Sequence, residues 1–88
     1  MKGYLILTAS GCGRRDIEVS DAEVASRLWG AFRDMNELGA SDLTRHSGAL
    51  VDDTGKRIGR VAYNGNVFIG DEMVYGQTYE QSRERRLR

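Results

Sequence analysis

Apolar positions along this chain change period twice. Tyr4 to Ala9 (YLILTA) is a compact β-rich run without a polar face, the pattern of an inner strand. Ser10-Gly11-Cys12-Gly13 is turn chemistry, because both glycines can take positive φ. Asp16-Ile17-Glu18-Val19 then alternates, with Ile17 and Val19 on one face, so the two runs predict a β-hairpin. Ser20-Asp21-Ala22-Glu23 reads as a capping box, with Val19 and Val24 as its hydrophobic staple. Beyond it Val24, Leu28, Ala31, Met35 and Leu38 recur at helical spacing, widened by Ala25 and Phe32. Glu23/Arg27 and Arg33/Glu37 are pairs of opposite sign one turn apart on the outer face. Gly39 is the expected left-handed stop. The pattern predicts a helix over 21–38, with Trp29 at one edge of its stripe and Gly30 where it presses on a sheet.

After a polar connection over 40–48, period two returns. Asp52-Asp53-Thr54-Gly55 separates Ala49–Val51 from Arg57–Tyr63, spaced for a type I turn closed by a glycine bulge. Asn64-Gly65 reads as a two-residue hairpin turn leading into Asn66–Gly70. Met73-Val74-Tyr75 has the composition of a short further strand. Gln77 to Arg88 is polar and carries four arginines against two glutamates, an arginine-rich tail beyond a single domain over 1–76. The order β–β–α–β–β–β predicts a two-layer α+β fold, one helix on a mostly antiparallel sheet.

A two-residue turn at Asn64-Gly65 would set Ala62 opposite Val67, Val61 opposite Phe68 and Arg60 opposite Ile69. One sheet face would then carry Gly59, Val61, Tyr63, Phe68 and Gly70, and would seat the helix. The other would carry Ile58, Arg60, Ala62, Val67 and Ile69. It is too apolar to stay wet, and the tail, the connection, a second copy or another protein are its available covers. Arg60 at its centre suits an interface, where arginine is enriched. The expected partner-binding residues are therefore Ile58, Arg60, Val67 and Ile69, with Asp71 and Glu72 at the rim.

Composition narrows the function. The chain has 88 residues, thirteen Lys+Arg, thirteen Asp+Glu and a formal net charge of +0, which disfavours a basic nucleic-acid coat or an acidic nucleic-acid mimic. A domain this small buries a modest core, so association with a partner or with itself is expected. One cysteine and one histidine build neither an internal disulfide nor an ordinary zinc site, which favours a reducing cytoplasm. Ala9-Ser10-Gly11-Cys12 looks like a lipoprotein cleavage box, but the apolar run before it is short for a signal core, and a strand and turn explain it better. No apolar run is long enough to span a bilayer.

Candidate chemistry is sparse. Cys12 with His46 would make a nucleophile and base, yet no orienting third group or oxyanion element accompanies them. His46 with Asp42, Asp52 and Asp53 lacks metal-ligand spacing, and the paired aspartates read as turn residues. Gly11-Cys12-Gly13-Arg14-Arg15 lacks the phosphate-loop pattern and leads into a strand. No catalytic, cofactor or metal site is expected. An alternative reading is nucleic-acid binding through Arg14, Arg15 and Arg57, aided by Tyr63, Phe68 and the tail.

In size, in its MKGYLIL opening and in its element order, the chain resembles the small α+β proteins of phages and mobile elements, anti-CRISPR proteins among them. That resemblance implies a non-enzymatic inhibitor acting in the cytoplasm of a bacterial host, by occupying a surface of a larger complex such as a CRISPR effector. It assigns no residue.

Overall fold

A computed structural model of the protein describes residues 2–76, so the 77–88 tail lies outside the described residues. The strands are β1 (Gly3–Leu7), β2 (Arg15–Val19), β3 (Ala49–Val51), β4 (Arg57–Val61), β5 (Val67–Ile69) and β6 (Glu72–Tyr75). They form one six-stranded sheet in the order β2-β1-β3-β4-β5-β6. Every neighbouring pair is antiparallel. One helix, α1 (Ala22–Met35), lies across one face, giving the expected two-layer α+β architecture. The Met73–Tyr75 run forms β6.

The helix begins one residue later than its capping box implies. Asp21, not Ser20, is the N-cap, and its Oδ1 accepts the Val24 N–H at 2.8 Å. Val19 is buried, whereas Val24 is 40 % exposed and does not serve as a staple. The buried stripe is also rotated from the expected one. Ala25 and Trp29 are fully enclosed, with Ala22, Leu28 and Phe32 packed around the same core, so Trp29 sits at its centre rather than its edge. The helix ends at Asn36 in a Schellman-type stop. The Leu38 N–H reaches back to the Arg33 carbonyl and the Glu37 N–H to that of Asp34. The left-handed residue is Glu37 (φ 51°), and Gly39 is extended. Arg33 accordingly pairs with Asp34 and not with Glu37.

The second hairpin departs from its expected register by one residue. Asn64-Gly65 belongs to a three-residue loop, because Ala62 donates to the Asn66 carbonyl and Gly65 donates back to that of Ala62. Gly65 takes the positive φ of 94°. Asn64 Oδ1 accepts the Asn66 N–H, fixing the turn. Val61 therefore faces Val67, Arg60 faces Phe68, and Gly59 faces Ile69. A one-residue slip sends every side chain of one strand to the opposite face. Gly59 and Val61 meet the helix as expected, but they do so beside Val67 and Ile69, while Phe68 turns away. β4 and β5 approach closely here, since a β-carbon at Gly59 would collide with the Phe68 carbonyl oxygen. Gly30 has no such neighbour: a β-carbon there would meet only the Arg33 guanidinium, 3.8 Å away. Tight helix–sheet packing does not account for this glycine.

Candidate interaction surface

The expected partner surface does not exist as one patch. Val67 is fully buried under the helix, and Ile69 packs against the same core. A register shift between Leu50 and Val51 sends Ile58 to that core as well. Arg60 alone of the four faces the other way. Asp71 and Glu72 lie exposed at the β5–β6 turn, away from any apolar patch made by the other residues.

The back face is built by two cross-strand rows. One runs Asp16, Ile6, Ala49, Arg60, Phe68 and Met73; the other runs Glu18, Tyr4, Val51 and Arg57. Ile6, Ala49 and Val51 form a small buried cluster there, although no helix among the described residues packs on this face. Long side chains close it. Arg57 reaches the Arg45 carbonyl in the connection at 3.2 Å, and the Arg60 guanidinium lies 4.3 Å from the Phe68 ring centre.

The expected nucleic-acid trio is likewise divided. Arg15 stands opposite Leu7 on the helix side, and Arg57 stands opposite Val51 on the back face. They are three strands apart, about 14 Å across the sheet, and near opposite strand ends.

The open apolar feature lies on the helix side. Past Trp29, α1 overhangs the end of β1, and the 11–15 segment stands opposite it. Between them is a cleft of about 520 Å³, walled by Leu28, Phe32 and Met35 on the helix and by Cys12, Arg14 and Arg15 on the turn, with Leu7 at its base. Met35 is 84 % exposed, the most open large apolar side chain among the described residues. Arg14 forks onto both oxygens of Asp16, at 3.0 and 3.2 Å. That bond raises the Arg14 pKa and lowers that of Asp16. Arg15 makes no side-chain hydrogen bond or ion pair among the described residues.

Sequence reasoning missed this cleft for an identifiable reason. Met35 sits on the helical apolar stripe and reads as core; only the position of the helix over the sheet shows that it has nothing to cover. Of the turn glycines, Gly11 takes positive φ (81°) and Gly13 does not.

The other candidates are occupied locally. Asp52 Oδ1 accepts from the Thr54 hydroxyl, the Thr54 N–H and the Lys56 N–H, and these bonds, the hydroxyl first, hold its carboxyl below the usual range. Asp42 accepts the Gly39 N–H. Cys12 is a half-buried free thiol, His46 is exposed, and neither side chain is hydrogen-bonded among the described residues. No cluster of three or more metal-ligating side chains occurs among the described residues, and none of their helices is long and apolar enough to cross a membrane. No protein-family description, curated protein or solved structure matches the chain.

Proposed function

We propose that the chain is a non-enzymatic protein-interaction module that seats on a larger host complex and blocks it, as the phage-encoded anti-CRISPR inhibitors it resembles in size and element order do. The observation that carries this reading is Met35, 84 % exposed at the rim of an open apolar cleft. Contiguous open apolar surface on a small domain marks an interaction site. The partner would be met in the cytoplasm of a bacterial host. The test is affinity capture from nuclease-treated lysate of a bacterium carrying CRISPR and other defence systems, followed by reconstitution with the purified partner. One defined complex, bound stoichiometrically and reduced in activity, is the expected result. Capture that disappears with nuclease treatment would overturn it.

One observation favours a second reading. Arg60 stacked on Phe68, with Arg57 on the same face, is the kind of cation–aromatic surface that binds single-stranded nucleic acid. That reading predicts affinity falling steeply with salt and lost in Arg60→Glu.

A further inference from the structure

We infer that the cleft between the 11–15 segment and the end of α1 receives an acidic, apolar peptide segment of the partner protein; this rests on the reading of the chain as a protein-interaction module. Its lining divides into two chemistries. Leu7, Leu28, Phe32 and Met35 supply apolar surface, and the charged groups lining it, Arg14 and Arg15, are both cations. Among the described residues no carboxylate lines the cleft. Arg14 is already taken by Asp16, which belongs to the back face, so the guanidinium of Arg15 is the charge left to meet a partner. Arg27 and Arg33 line another cleft, but they are already joined to Glu23 and Asp34, and Lys2 shares a shallow cleft with Glu18, Asp52 and Asp53. The occupant complementary to the helix-side cleft therefore carries apolar side chains flanked by carboxylates.

The geometry favours a peptide over a nucleic acid. Phe32, the one aromatic side chain among the described residues of the lining, packs against Trp29 at 5.8 Å between ring centres, so successive bases would find no row of rings to stack on. Burying Met35 on binding is worth roughly ten- to a hundredfold in affinity, and an exposed pair with Arg15 roughly two- to fivefold. Apolar contact sets strength, and charge sets which segments are accepted.

A random dodecapeptide display library, selected on the wild-type chain and depleted on Met35→Asp, tests this directly. Met35 is so exposed that the variant keeps its fold, checked by its denaturation midpoint. Enriched peptides should place Asp or Glu beside apolar residues. They should bind Arg15→Glu at least several-fold more weakly, lose at least tenfold on Met35→Asp, and keep full affinity for Arg60→Glu. No enrichment over the depleted pool, a basic or uncharged consensus, or indifference to Arg15→Glu would overturn the inference. A captured host complex lost in Arg60→Glu but retained by Met35→Asp would also overturn it, while leaving the protein-interaction reading intact.

Discussion

The two halves of α1 do different work. From Ala22 to Trp29 it covers the main core, where Ala25 and Trp29 are wholly enclosed and the Trp29 indole N–H donates to the Tyr63 carbonyl at 3.3 Å. From Gly30 to Met35, Phe32 still packs on the core and Arg33 donates to the Tyr63 carbonyl at 2.7 Å, but Met35 stands clear at the rim of an open cleft. The same helical period produces both halves. Periodicity thus says which side of a helix is apolar; how far the sheet extends beneath it decides whether that side becomes core or contact surface.

Substitutions along this helix should separate the two roles. Trp29→Ala removes the largest enclosed side chain and should cost about 3–5 kcal/mol, enough to unfold much of a domain this small, as read by urea denaturation. Tyr63→Phe deletes the phenol hydroxyl that donates to the Leu38 carbonyl at 2.8 Å and ties the helix end to the second hairpin. It should cost about 0.5–1.5 kcal/mol in the same assay. Glu37→Gly relieves a left-handed non-glycine residue and should add a fraction of about 1 kcal/mol, because glycine also gains freedom in the unfolded chain. Met35→Ser at the open half should stay within about 0.5 kcal/mol of wild type.

The β3–β4 turn supplies a contrast through pH. A carboxyl whose folded-state pKa is lowered contributes stability above its unfolded value and loses it as pH falls through the folded one. Asp52 is such a group, held down first by the Thr54 hydroxyl and then by the Lys56 N–H. Asp52→Asn should therefore flatten the acid side of the stability–pH curve below about pH 4, with its loss of stability showing near neutrality and vanishing once the wild-type carboxyl is protonated.

Most of the architecture was legible because local rules and tertiary packing agree. The β1–β2 hairpin, one helix, the meander and the Asp52–Gly55 turn all follow from alternation and turn chemistry. The failures share a cause: they depend on single-residue choices between nearly equal local options. Asn64-Gly65 can close a two- or a three-residue loop, and the Asn64 side chain together with packing of Val67 under the helix favours the latter. Ser20 and Asp21 can both cap, and the helix starts from Asp21. Glu37 takes the left-handed position that Gly39 was expected to fill. The loop slip then moved Val67 and Ile69 from the expected partner surface into the core. The sequence shows Arg15 only as a charge; that it lines the same cleft as Met35 is a fact of three dimensions.

The central claim is that the open half of the helix, and not the back face of the sheet, is the contact surface. It is tested most directly by capturing the host complex side by side with wild type, Met35→Asp and Arg60→Glu at equal folded concentration. The account predicts that Met35→Asp loses the complex and Arg60→Glu retains it. Retention by Met35→Asp with loss in Arg60→Glu would place the contact on the Arg60–Phe68 face and contradict it.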